Sequence, residues 1–132
     1  RKRLLLVEDN PDNRLLIRSY LKKEPYEVDE AENGALGGAC AGRQRYDLIL
    51  MDVQMPVMDG HAATRAIRDL EAVNGLPPVP VIALTAHAVK EDMEKSLAAG
   101  CTAHLTKPIK KQVLLDALAE HLGTRQVGAV PT

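Results

Sequence analysis

Leu48-Ile49-Leu50-Met51-Asp52-Val53-Gln54-Met55-Pro56 decides the fold of this chain. Four large apolar residues in a row read as a strand buried on both faces, which is the habit of parallel sheets. The run ends in a carboxylate. In an open α/β sheet the last residue of a central strand reaches the C-terminal edge, where such folds keep their ligands. Asp52 is therefore expected to be braced by a rigid strand and exposed to ligand. Pro56 and Asp59-Gly60 mark the turn into the next helix. Taken alone, Asp52 could equally accept loop N–H bonds.

The bulk of the sequence narrows the class. A chain of 132 residues fits one domain, and 45% hydrophobic with 27% charged residues is ordinary for a globular protein. There is no Trp or Phe and only three Tyr, so the core is aliphatic. A formal net charge of −1 gives no basic footprint for nucleic acid. No apolar run spans a bilayer and no signal-peptide pattern opens the chain, so no membrane contact and a cytoplasmic setting are expected. Cys40 and Cys101 are isolated, which speaks against structural zinc.

From the start, Arg3 to Val7 reads as a strand, and Pro11 to about Lys23 as a helix capped by Asp9 or Asn10. Leu16, Ile17, Tyr20 and Leu21 form its apolar stripe, and Lys22 and Lys23 suit its C-terminal end. Glu27 to Ala31 is a polar second strand, and Ala35 to Arg43 a glycine-weakened helix. After the central strand comes a helix from Gly60 to Val73, with Ala63, Ile67 and Leu70 inward. Val79 to Leu84 is the fourth strand, and Lys90 to Ala99 a helix with Met93 and Leu97 four apart, stopped by Gly100. Ala103 to Thr106 is a short fifth strand. Lys110 to Leu122 is the last helix, with Leu114, Leu118 and Leu122 on one face, closed by Gly123. Residues 124–132 read as a tail or linker after a domain of residues 1–123. Five strands alternating with five helices mean a doubly wound parallel sheet. A polar second strand and a short fifth strand make natural edges, which favours the flavodoxin-like order 2-1-3-4-5.

In that order the strand ends assemble a constellation. The first strand ends in Glu8-Asp9, the third in Asp52, the fourth in Thr85 and the fifth in Lys107. Three carboxylates repel one another unless a cation sits among them. They are hard oxygen donors of the kind Mg²⁺ uses beside a phosphate-bearing partner. A carboxylate can also act as a nucleophile and form an acyl phosphate. A hydroxyl and an ammonium next to it suit a developing phosphoryl charge.

Glu8-Asp9, Met51-Asp52-Val53-Gln54-Met55-Pro56, Met58-Asp59-Gly60, Leu84-Thr85-Ala86 and Thr106-Lys107-Pro108 resemble the signature of the response regulator receiver domain of two-component signalling. The resemblance runs from about Lys2 to Leu122. It implies that Asp52 is the phosphoacceptor. It also implies that Asp9, Asp52 and the backbone carbonyl of Gln54 bind Mg²⁺, with Glu8 helping through metal-bound water. Lys107 would pair with the phosphoryl group, Thr85 would swing to hydrogen-bond it, and the Lys107-Pro108 bond would be cis. Gln54, Ala86 and His87 occupy the flanking positions that tune phosphoryl lifetime. The family's switch position, three before the lysine, usually holds Tyr or Phe; here it is His104. A polar ring there is expected to weaken the switch or make it pH-sensitive. His61 and His121 read as surface or packing residues.

The resemblance implies a histidine kinase or histidine phosphotransfer domain as donor. The output would be a shift of the face made by the fourth helix, fifth strand and fifth helix, which would also suit a homodimer. The run Leu84-Thr85-Ala86-His87-Ala88 looks most like receivers of hybrid histidine kinases. With Arg1 rather than Met at the start, this favours an excised receiver over a stand-alone regulator. The domain is not expected to be a turnover enzyme. A small Mg²⁺-dependent phosphohydrolase would commonly carry a second Asp where Gln54 stands. A degenerate receiver acting only as a binding module would not be expected to keep Glu8, Asp9, Asp52, Thr85 and Lys107.

Overall fold

The computed structural model describes residues 2–53, 59–86 and 90–122. The chain alternates strictly: β1 (Lys2–Val7), α1 (Pro11–Leu21), β2 (Tyr26–Ala31), α2 (Gly34–Arg43), β3 (Leu48–Asp52), α3 (Gly60–Asn74), β4 (Val81–Thr85), α4 (Lys90–Ala99), β5 (Ala103–Thr106) and α5 (Lys111–Leu122). The five strands are parallel in the order β2-β1-β3-β4-β5, as the edge argument expects. The charged β2 lies at one edge, where Arg3 pairs with Glu27 at 3.1 Å.

The central strand explains why two layers of helices are needed. Every residue of β3 is buried, and alternate residues point to opposite faces. Leu48 and Leu50 join Leu4, Leu6, Ile82 and Leu84 under Ile17, Leu21, Leu114 and Leu118 of α1 and α5. Ile49 and Met51 join Leu5, Val7, Val81 and Ala83 under Ala63 and Ile67 of α3. Each fully buried aliphatic side chain contributes roughly 1.5–3 kcal/mol, so one strand sews both layers together. In the weak helix α2 one glycine, Gly37, is used for packing. A Cβ on Gly37 would lie 2.7 Å from Val7 Cγ2, so only glycine lets α2 settle onto β1.

Several expected boundaries and faces are corrected. Helix α1 stops at Leu21 with Lys22 as its C-cap, because a tight turn (Glu24 N–H to Leu21 O, 3.0 Å) follows directly. Arg18, rather than Lys22 or Lys23, is the basic residue of its last turn. Strand β4 begins at Val81, not Val79, since the Val79 N–H donates to Glu71 Oε2 and Pro80 has none to give. Leu16 and Leu70, expected on the inward faces, are 41% and 38% exposed, and Leu97 is 57% exposed. On α4 the small Ser96 and Ala99 face inward instead. This lets α4 lie close to α3, where His61 Nε2 and Ser96 Oγ share a hydrogen bond of 2.8 Å. Gly123 and the 124–132 tail lie outside the described residues.

Candidate functional site

The site grows from the ends of three strands. β1 delivers Glu8 and Asp9, β3 delivers Asp52, and Lys107 follows β5. Carboxylate oxygens of Glu8, Asp9 and Asp52 all lie within 4.8 Å of one another. The Lys107 ammonium stands between two of them, Nζ being 3.1 Å from Glu8 Oε1 and 3.2 Å from Asp52 Oδ1. Burial works against the charged lysine, but Asp52 and Glu8 outweigh it and hold its pKa above the ordinary value. Lys107 therefore stays an ammonium at neutral pH. Glu8 is also tied by the Asn10 N–H, which donates to Oε2 at 3.2 Å.

One expectation about Asp52 is corrected. It is only 1% exposed, with Lys107 Nζ 3.2 Å from Oδ1. Lys107, with 23% of its side chain exposed, is the more accessible partner. Three carboxylates facing one ammonium leave an excess of negative charge in a confined space. Hard oxygens so disposed fit a small dication such as Mg²⁺.

The frame around the carboxylates is tight. A Cβ on Gly60, the first residue of α3, would fall 2.2 Å from the Asp52 carbonyl oxygen and 2.7 Å from Val53 Cα. The Asp59-Gly60 pair, read in the sequence as a turn and as part of the family signature, is thus what lets α3 start against the strand that carries Asp52. Asp59 caps that helix by accepting the Ala62 N–H at 2.8 Å. On the other side the Lys107-Pro108 peptide is cis, as expected, and the Lys107 N–H donates to Thr85 O at 2.7 Å. Thr85 is buried at the end of β4, opposite Thr106. His104 lies on β5, opposite Ala83 and partly exposed. Ala86 is exposed, whereas Gln54 and His87 fall outside the described residues.

Two contributors carry no signal in the sequence. Tyr20 OH donates to Ile109 O at 2.9 Å, which ties α1 to the loop that carries Lys107. A cavity of about 60 Å³, lined in part by Asn13, Leu16, Ile17 and Pro108, lies beside this tie. Arg14 Nη1 donates to both Glu8 O (2.7 Å) and Asp9 O (3.2 Å), while its Nε lies 3.2 Å from Glu30 Oε1.

Residues 4–119 match the family model for the response regulator receiver domain. The chain belongs to the response regulator receiver domain family. Among curated receivers, the sensor protein GacS of Pseudomonas syringae pv. syringae is 40% identical over 92% of this chain, which spans only 13% of that protein. The polar-differentiation response regulator DivK of Brucella anthropi is 36% identical over 92% of this chain and 97% of its own length. Receivers thus occur among the relatives both within long sensor proteins and as nearly the whole of a short regulator.

Solved receivers superpose closely. The receiver domain of a sensor histidine kinase from Pseudomonas aeruginosa PAO1 has a TM-score of 0.81 at 41% identity, covering 93% of this chain and 98% of that one. That structure holds a magnesium ion in its active site cleft. The receiver domain of the Saccharomyces cerevisiae response regulator Ssk1, solved with the histidine phosphotransfer protein Ypd1, has a TM-score of 0.87 at 35% identity, covering 91% of this chain and 88% of that one. Among the described residues of this chain, no helix is long and apolar enough to cross a membrane.

Proposed function

We propose that this receiver accepts a phosphoryl group on Asp52 from a phosphohistidine donor, a histidine kinase or a histidine phosphotransfer domain. The observation that carries the reading is the Glu8–Asp9–Asp52 cluster with Lys107 set between Glu8 and Asp52. An Asp52 carboxylate oxygen attacks phosphorus, the P–N bond to the donor imidazole breaks, and an acyl phosphate forms. Asp9, Asp52 and the Gln54 carbonyl would hold Mg²⁺. Glu8 would act through metal-bound water, which agrees with the pairing of its two oxygens with Lys107 and the Asn10 N–H. When bound, Mg²⁺ supplies positive charge to the transferring oxygens.

The remaining roles belong to the chain's own groups. Lys107 leaves the carboxylate for a phosphoryl oxygen, its charge secured by the same neighbours that raise its pKa. Thr85 donates its hydroxyl to the phosphoryl group, and Gln54, Ala86 and His87 set how long that group survives. Phosphorylation brings the acceptor to about −1.5 to −2. That charge shifts the population between two packings of α4, β5 and α5, with His104 as the switch ring. The same face offers a surface to a second copy. The higher identity to sensor kinases supports a setting inside a hybrid histidine kinase, with residues 124–132 as a linker. The domain itself accepts one phosphoryl group and loses it to water, as inorganic phosphate, and is not proposed as a multiple-turnover enzyme.

The test is intact mass after incubation with phosphoramidate, with and without Mg²⁺, beside Asp52→Asn. One phosphoryl adduct that requires both Mg²⁺ and Asp52 is expected. Continuous phosphate release with no lasting adduct would instead identify a phosphohydrolase, and neither outcome in folded protein would leave a binding module.

A further inference from the structure

We propose that Arg14 is a positioning residue for the acidic loop after β1, and that it sets the affinity of that loop for Mg²⁺. The inference rests on the phosphoacceptor reading above. In an extended strand, consecutive carbonyls point to opposite sides. Here the carbonyls of Glu8 and Asp9 converge on a single nitrogen, Arg14 Nη1, at 2.7 and 3.2 Å. The chain has therefore left strand geometry at the point where its two carboxylates must turn toward Asp52. The last ladder-like bond before this point is the Glu8 N–H to Ala31 O, at 3.0 Å.

The guanidinium is itself locked. Its Nε lies 3.2 Å from Glu30 Oε1 on β2, and Arg18 Nε holds the other Glu30 oxygen at 2.9 Å. Arg18 Nη1 then reaches Val28 O at 3.0 Å. The acidic loop is thus tied through α1 to the sheet edge. Arg14 is mostly buried, with 16% of its side chain exposed. Because Glu30 balances its charge, Arg14 can stand behind the carboxylates without opposing a cation in front of them. Lysine could not replace it, since a single ammonium cannot reproduce the planar fork that serves the carbonyls and Glu30 together.

Groups that orient metal-binding residues commonly govern affinity by 10–100-fold. Calorimetric titration of Mg²⁺ into the folded wild-type domain, Arg14→Met, Arg14→Lys and Glu30→Gln tests the proposal. The expected result is an Mg²⁺ Kd about tenfold weaker in Arg14→Met, little recovery in Arg14→Lys and an intermediate loss in Glu30→Gln. The Mg²⁺ concentration for half-maximal adduct formation should move in parallel. A lowered thermal midpoint with an unchanged Kd would make Arg14 a structural tie and overturn the proposal. If Arg14→Met fails to fold, unchanged Kd values in both Arg14→Lys and Glu30→Gln overturn it equally. Wild-type protein that binds no Mg²⁺ and forms no adduct would instead defeat the phosphoacceptor reading, and this inference with it.

Discussion

The two edges of the sheet each bury carboxylates, and they treat them differently. At the N-terminal edge Glu71 is buried at the end of α3. Its Oε1 lies 2.9 Å from Arg68 Nη1, its Oε2 accepts the Val79 N–H at 2.7 Å, and Arg45 Nη1 stands 3.6 Å away. Arg68 also donates twice to Gly100 O, at 3.0 and 2.8 Å. One carboxylate thus has two guanidiniums and a backbone donor. At the C-terminal edge Glu8 and Asp52 share Lys107, and Asp9 lies close beside them. The first arrangement is saturated and serves to join α3, the β4 approach and the end of α4. The second is left in electrostatic deficit, which makes it receptive to a cation. Burial alone does not separate a structural acid from a reactive one; the ratio of acids to bases does.

The comparison can be broken most forcefully at the saturated edge. Removing one partner of a buried ion pair costs about 3–5 kcal/mol. Arg68→Ala should therefore lower stability by about 3 kcal/mol in urea unfolding, while the folded fraction still forms the Asp52 adduct. A loss below about 1 kcal/mol would mean that the Glu71 cluster is not the clamp described.

At the deficient edge the sign reverses. Asp52→Asn removes a carboxylate that faces two others and one ammonium. Without Mg²⁺ it should raise stability by about 1 kcal/mol, and added Mg²⁺ should narrow the gap to wild type. Destabilisation by Asp52→Asn would show that the two edges are alike after all.

The smallest effect sharpens the picture between the edges. Burial holds the pKa of His61 below its ordinary 6.5, although Asp59 and Asp92 pull it up, and Arg65 and Lys95 add to the lowering. The unfolded chain then takes up the proton first. The stability this neutral ring provides is present above pH 6.5 and declines as pH falls toward its folded value. Unfolding midpoints between pH 5 and 7 should fall less steeply in His61→Gln than in wild type. Parallel profiles would show that the bond to Ser96 holds equally well with either form of the ring.

The element order, the strand order and the acidic cluster were all legible in the sequence, for a common reason. Strands in this fold end where their function begins, so the acids at Glu8-Asp9 and Asp52 close the readable apolar runs Leu4–Val7 and Leu48–Met51, while Lys107 follows the short β5. The illegible parts share a different chemistry. Arg14, Tyr20 and Arg68 all donate to backbone carbonyls, those of Glu8, Ile109 and Gly100 among them. Any residue type can supply such an acceptor, so no spacing betrays the pair. The inward faces of α1 and α3 miss at Leu16 and Leu70 because periodicity marks a stripe but not its rim. On α4 the small Ser96 is preferred inward over the larger Leu97, since close helix contact favours low volume.

The contact at Gly60 has a mechanical consequence. With no room for even a methyl group between this residue and the backbone of Asp52, strand β3 and the start of α3 behave as one stiff member. A change of charge on Asp52 would find no slack to take up in that direction. If Asp52 is the phosphoacceptor as proposed, displacement would leave by side chains that touch it only at their tips, such as Lys107 with Nζ 3.2 Å from Asp52 Oδ1. Under the proposed role of Asp52, such an asymmetry would give a local chemical event a direction of travel.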